Sequence, residues 1–321
     1  TVNSATGGSG TGALTITSVA NGSATGCSWD GTTLSASTSG TCTLTITKAS
    51  DTNYNAATST ATFTFSKATQ DALSITTTTG TYGSTLTLAT SGGSGDGAIS
   101  YVVNSGNCSV SGSTLSNTSA GTCSVTATKA ASTNYEAISS SATTITVNAA
   151  NQSALSFTIN ITSKSSPYSQ AITFTPSGGS GTGAITYAIV SGGSATGCAL
   201  SGTGATNTIT ATTSGTCLIA ATKAADSNYT SITSSNVTFT FNKASQSALS
   251  ITTTTGTYGS TLTLATSGGS GDGAVSYIVN SGNCSVSGAT LSSTSAGDCY
   301  IIATKAADVD YDAISSSSTK I

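Results

Sequence analysis

Apolar residues along this chain keep to a period of two and nowhere settle into the 3.6-residue spacing of a helix face. The pattern is plainest over residues 73–147. Leu73 and Ile75 open one alternating run, Leu86 and Leu88 carry a second, and Ile99, Tyr101 and Val103 share one face of a third. Cys108 with Val110, then Leu115, then Cys123 with Val125 and Ala127, and finally Ile145 with Val147 complete the set. Clusters of Gly, Ser and Asn separate the runs. Together they predict about seven short strands joined by turns, hence an all-β sandwich.

The same grammar returns four times. "TGGSGTGAL" from Thr6 reappears as "SGGSGDGAI" from Ser91, "SGGSGTGAI" from Ser177 and "SGGSGDGAV" from Ser267. Intervals near 90 residues are domain-sized rather than solenoid-sized. The joints carry a second landmark, "ATQDALSIT" from Ala68, "ANQSALSFT" from Ala150 and "ASQSALSIT" from Ala244. The predicted domains are therefore 1–66, 67–148, 149–242 and 243–321. Thr1 aligns with Leu86 and Ile321 with Ile145, so the first copy is expected to lack its opening strand and the last to have a truncated final one. The chain then reads as a window on a longer array; the alternative is a neighbouring molecule that supplies the missing strand. Residues 72–130 and 248–306 differ at only eight of 59 positions, the mark of a duplicated two-domain unit.

Cysteine placement follows the repeat. Eight cysteines fall into four local pairs, Cys27 with Cys42, Cys108 with Cys123, Cys198 with Cys217, and Cys284 with Cys299. Cys123 shares strand parity with Val125 and Ala127, and Cys108 with Val110, so both sulfurs are expected in one core. None lies in a Cys-x-x-Cys motif, and the chain has no His to complete a zinc site, so the reading is structural disulfides in an oxidising compartment. Closing a loop of about 15 residues stabilises a small, thin-cored domain by roughly 3 kcal/mol in the chain-entropy picture.

Composition narrows function by exclusion. Only 6% of residues are charged, the net charge is −3 and there is no Arg, which offers phosphates no basic face and argues against nucleic acid. No apolar run approaches the roughly 20 residues of a transmembrane helix. Without His, with Glu136 as the sole Glu and with every Cys paired, no nucleophile–base or acid–base pair is evident, so neither an enzyme nor a cofactor is expected. The "GGSGDG" segments lack the Lys-Ser/Thr of a phosphate loop and read as turns.

Three features remain as candidate sites. Asp308, Asp310 and Asp312 in "DVDYD" alternate as calcium ligands do, against the plainer reading of a polar loop; no other metal site is assigned. Trp29, the single Trp, and Asp30 mark copy one alone. Lys48, Lys129, Lys223 and Lys305 read as solvated strand ends. Tyr54, Tyr135, Tyr229 and Tyr311, six residues on, read as rings over the sandwich end with hydroxyls on backbone.

The segments "SGGSGTGAITY", "CSVSGSTLSNTSAGTCSVTATKAASTNY" and "KASQSALSIT", in this order and period, resemble the tandem bacterial immunoglobulin-like repeats of very large secreted or surface-anchored proteins. The resemblance covers essentially the whole chain. It implies tandem immunoglobulin-like β-sandwich domains, one disulfide per domain, at a cell surface or outside the cell. It also implies a structural role as stalk, spacer or filament of a bacterial surface protein, with a module binding a glycan or host-surface ligand as the alternative. The expected partner is the array itself, by continuation or self-association. Both cysteines lie in the second half of each copy and no core Trp accompanies them, unlike antibody domains, so the resemblance carries no binding activity with it.

Overall fold

Thr, Val and Ile crowd the alternating runs because branched side chains suit a pleated, half-buried surface, and the chain folds accordingly into strands. The computed structural model describes residues 5–158, 165–202 and 207–321, and all regular structure within them is β. Among the described residues no helix is long and apolar enough to cross a membrane. Thr1 lies outside the described residues.

Copy two shows how the seven strands are made. Its opening strand is broken into Ser74–Ile75 and Thr79–Thr81, its second into Leu86–Thr87 and Thr90–Ser91, and its last into Ile138–Ser139 and Thr143–Asn148. Between them run Ile99–Ser105, Cys108–Ser111, Thr114–Asn117 and Gly121–Lys129. Gly121–Lys129 is central to one sheet, antiparallel to Ile99–Ser105 on one side and Thr143–Asn148 on the other. Thr79–Thr81 joins that sheet's far edge in parallel to Thr143–Asn148, whereas Ser74–Ile75 pairs with Thr90–Ser91. The opening strand thus changes partners at the break and helps close the sandwich. Copy three repeats the parallel closure, with Ser165–Pro167 beside Val237–Asn242.

The register buries one face of the central strand. Val125 and Ala127 are fully buried opposite Val103 and Tyr101, and they meet Leu73, Ile75, Leu88, Leu115 and Ile145 from the other strands. The turn before Ile99 packs so closely on the loop after Lys129 that a Cβ on Gly97 would collide with the Ala130 carbonyl. Gly12, Gly183 and Gly273 meet Ala49, Ala224 and Ala306 in the same way, which accounts for a glycine at this place in every copy.

The chain divides into two compact units, Thr1–Ala150 and Asn151–Ile321, and each holds two separate hydrophobic clusters. The clusters are unequal. Copy three packs Phe174, Phe239 and Phe241 with Ile172, Ile209 and Ile219, all essentially inaccessible, whereas the buried members in copy one are Ala24, Leu34, Cys42 and Leu44. Tyr187 leans edge-on to Phe174 at 5.3 Å, and its hydroxyl accepts a hydrogen bond from the buried Asn207 amide. Burial pushes the Tyr187 phenol upward, with the Asn207 contact opposing it. The architecture is all-β, disulfide-bearing sandwiches in tandem.

Candidate functional site

Every copy is built around one long strand with a different device at each end. At its start lies the disulfide. Cys42, Cys123, Cys217 and Cys299 are buried at or just before that strand and bond Cys27, Cys108, Cys198 and Cys284, with Cα separations of 5.9, 6.2, 6.0 and 6.2 Å. These separations lie in the ordinary range for disulfides. Cys108 belongs to the sheet of Thr114–Asn117 and Leu86–Thr87, and Cys123 to the opposite one, so the bond ties one layer to the other. Among the described residues no cysteine is free.

At the far end a buried glutamine gathers three chain segments. The Gln70 amide donates to the carbonyls of Ala130 (3.4 Å) and Glu136 (2.6 Å), while its carbonyl accepts the Gly95 N–H (3.0 Å). Gln152 does the same with Ala224, Thr230 and Gly181, and Gln246 with Ala306, Asp312 and Gly271. Three of the four copies add a carboxylate. Asp226 accepts the Asn228 and Tyr229 N–H groups on one oxygen and the Thr182 N–H and hydroxyl on the other. Asp51 and Asp308 make the corresponding bonds, and copy two carries Ser132 instead. The Thr182 N–H and the loop N–H groups hold the Asp226 carboxyl down at about 2. Asp51 is lowered by the N–H groups of Asn53 and Thr11; at Asp308 desolvation opposes ionisation, but the N–H groups of Asp272, Tyr311 and Asp310 outweigh it.

Within each unit the stapled end of the odd copy meets the far-end loop of the even copy. In the first unit the Ser39 N–H donates to the Asn134 side-chain oxygen at 2.9 Å, the Ser39 hydroxyl donates to the Thr133 carbonyl, and the Asn134 amide reaches Ser37 O at 3.4 Å. The second unit repeats this with Ser214 N–H on Asp310 Oδ1 at 2.7 Å and the Ser214 hydroxyl on Val309 O. It adds Tyr168, edge-on to Tyr311 with ring centroids 5.4 Å apart, and within copy four the Lys243 ammonium donates to Asp308 O. The hydrogen bond to Tyr311 raises the Tyr168 phenol to about 12, helped by burial and by the Tyr311, Asp310 and Asp308 charges.

The sequence candidates fall around these devices. Of the calcium candidates, Asp308 is engaged by loop N–H groups, Asp310 faces Ser214, and Asp312 gives its backbone oxygen to Gln246. Among the described residues no three acids, cysteines or histidines gather as metal ligands. Trp29 pairs with Leu34 and lines a cavity of about 510 Å³ with Leu14, Ile16 and Ile46. Asp30 caps its own turn through the N–H groups of Thr32 and Thr33, which lower its carboxyl. The strand-end lysines reach over the Gly-Gly turn, Lys129 to Gly93 O at 3.2 Å and Lys305 to Gly269 O at 3.5 Å. At Tyr311 the tyrosine reading needs correcting, because its ring meets Tyr168 across the joint; hydroxyls on backbone are seen at Tyr101 and Tyr277, bonded to Leu88 O and Leu264 O. The joint serines and the glutamine clamp were missed; the invariant Gln of the joint landmark and the Ser/Ala alternation before Gly-x-Cys were the available signals.

No protein-family profile and no curated protein sequence matches the chain. Among solved structures, domains 1–6 of the surface layer protein SbsC align at TM-score 0.28 and 15% identity, over 86% of this chain and 44% of that one. This chain thus spans less than half of that protein. The Escherichia coli adhesin FdeC aligns at TM-score 0.22 and 15% identity, over 80% of this chain and 99% of that one.

Proposed function

We propose that this chain is a structural extracellular array, a stalk, spacer or filament of a bacterial surface protein, built from immunoglobulin-like modules at 1–66, 67–148, 149–242 and 243–321. The observation that carries the reading is the repetition of one disulfide in all four copies and one glutamine clamp in three, with the same Ser-to-Asn/Asp clasp at the joint inside both units. A chain that repeats its joints as faithfully as its cores is organised for extent, and disulfides suit an oxidising exterior. Catalysis has no place in this reading, since the polar clusters are spent on backbone groups. Small-angle scattering and electron microscopy of the oxidised chain test it. Rods a few nanometres wide are expected; compact particles about as broad as they are long would overturn it.

A second reading, an adhesin module for a glycan or surface ligand, has one observation behind it. Of the eight positions separating copies two and four, four lie on one outward face: Val102, Thr122, Ser124 and Thr126 become Ile278, Asp298, Tyr300 and Ile302. Ile301 between them is fully buried, so Tyr300 and Ile302 look outward beside Ile278, which is 59% exposed. Two small polar residues beside an already apolar position have become larger and more apolar, as Tyr300 and Ile302 next to Ile278, edged by the Asp298–Lys320 ion pair at 2.7 Å. Glycan-array binding lost in Tyr300→Ala would favour this reading.

A further inference from the structure

In every copy the same strand is the outermost one of its sheet: Leu14–Asn21, Ile99–Ser105, Ile185–Val190 and Val275–Ser281, each paired on one side alone among the described residues. None carries a charge or a proline, so a bulge is the guard left to such an edge. Three of them have one. The register skips Thr17, Asn104 and Asn280, and each skipped side chain ties across the sheet, to Thr45 O (3.3 Å), the Thr126 hydroxyl (2.8 Å) and the Ser318 hydroxyl (3.2 Å). Copy three has Val190 where copies two and four have that asparagine, and its register runs unbroken from Ile185 to Val190. An apolar side chain has nothing with which to anchor a bulge.

That edge is also open at its side. Ile189 lies opposite the buried Ile219 yet is 45% exposed, and next to it is a cleft of about 330 Å³ lined by Ile189, Val190, Ala195, Cys198 and Leu218. In copy one the Asn21 side chain accepts the Cys27 N–H; Gly192, at the matching position, has no side chain to cover Cys198.

We propose that Ile185–Val190 pairs edge to edge and antiparallel with the same strand of a second copy of this chain, about a twofold axis at Tyr187. Keeping both cores on one side of the joined sheet requires opposed residues to share parity. Ile185 then faces Ile189 of the second copy, Thr186 faces Ala188, and Tyr187 faces its own counterpart. Exposed Ile189 becomes covered by an isoleucine, and Gly183 and Ala184 of the second copy, which are small, fall opposite Ser191 and Val190 beside the cleft. Charge favours the strand's own copy as occupant. Strand and cleft hold no charged residue, and Lys223, opposite Ile185, folds over Gly179, so a neutral edge meets an equal one without repulsion. The contact is isologous and stops at two chains. Six residues fall short of the roughly 1,200 Å² of a standard interface, so the pair is weak and reversible. Side-by-side pairing goes beyond the stalk reading and stands or falls separately from it.

The test is analytical ultracentrifugation of the full oxidised chain up to about millimolar concentration, with hydrogen exchange on the same samples. Wild type is expected to move from monomer to dimer and no further, and the amides of Ile185–Val190 to gain protection as it does. Ala188→Lys, at an exposed position, should weaken dimerisation about tenfold or more, because edge lysines block added strands and the two ammonium groups approach each other. Val190→Asn restores the residue that anchors the bulge in copies two and four and should also weaken it. Val102→Lys puts the same charge on the bulged edge of copy two and should leave dimerisation unchanged. Circular dichroism and the mass of four disulfides check that each variant keeps the fold. A wild type that stays monomeric, or an Ala188→Lys chain that dimerises as wild type does, overturns the proposal. So does strand protection that appears only when an unrelated uncharged β-peptide is added, which would make the occupant a foreign strand. If monomers are rods by electron microscopy, the pairing fails and the stalk reading stands.

Discussion

At the residue scale, the far-end aspartates show how a charge-poor chain uses the few charges it has. Asp226 is half-buried and accepts three backbone N–H groups from two loops 40 and more residues apart. Its folded pKa, about 2, lies below the ordinary 3.8, so the group binds protons less readily in the folded chain than in the unfolded one. The stabilisation is therefore fully present above about pH 4 and disappears as the pH falls through about 2. Asp226→Asn is expected to lower the melting temperature of copy three at pH 7 and to flatten its dependence between pH 4 and pH 2. Thermal unfolding followed by circular dichroism across that range checks this; a variant whose acid loss matches wild type would show that the carboxylate does not link fold to pH. Ser132, at the equivalent place in copy two, has no such titration, so that copy is expected to show the weaker acid response.

At the element scale, the central strand was legible and its surroundings only partly so. Period two placed Cys123, Val125 and Ala127 inward, and the structure buries all three, because alternation across a pleat is a local property. The breaks in the opening and closing strands were not legible: Ser74–Ile75 and Thr79–Thr81 leave for different sheets, and what separates them is a run of threonines that suits either. Nor was the Gln70 clamp, whose partners Gly95, Ala130 and Glu136 lie 25, 60 and 66 residues away and carry no local pattern. Pairing of the cysteines was legible because the two members of each pair lie only 15 to 19 residues apart, in the same place in every copy. The Cys108–Cys123 bridge is expected to contribute roughly 3 kcal/mol by shortening a 15-residue loop in the unfolded chain. Replacing both cysteines with alanine should lower the unfolding free energy of copy two, measured by denaturant titration, by that amount and leave copy three unchanged. Loss of less than about 1 kcal/mol would mean that the sheets are held together by Leu115, Val125 and Ile145 without the staple.

At the scale of the whole molecule, unequal cores in series determine how the chain comes apart. Copies one and three both have Phe pairs on their last strand, but Phe63 and Phe65 are only partly buried while Phe239 and Phe241 are fully enclosed with Phe174. Within each unit the two clusters meet through a few loop hydrogen bonds, joined in the second unit by the Tyr168–Tyr311 ring contact, so the unfolding of one core draws little support from its partner. Calorimetry is accordingly expected to resolve more than one transition, with copy one unfolding before copy three. Phe174 touches Phe157, Tyr187 and Phe239 at ring distances of 5.8, 5.3 and 5.3 Å, and its truncation leaves a cavity that this aromatic packing cannot close. Phe174→Ala should destabilise copy three by about 3–5 kcal/mol and move its transition alone, leaving the others in place. If the variant instead shifted a single transition for the entire chain, the joints would be coupling the cores, and the clasp at Ser39 and Ser214 would be stiff enough to make each unit unfold as one body.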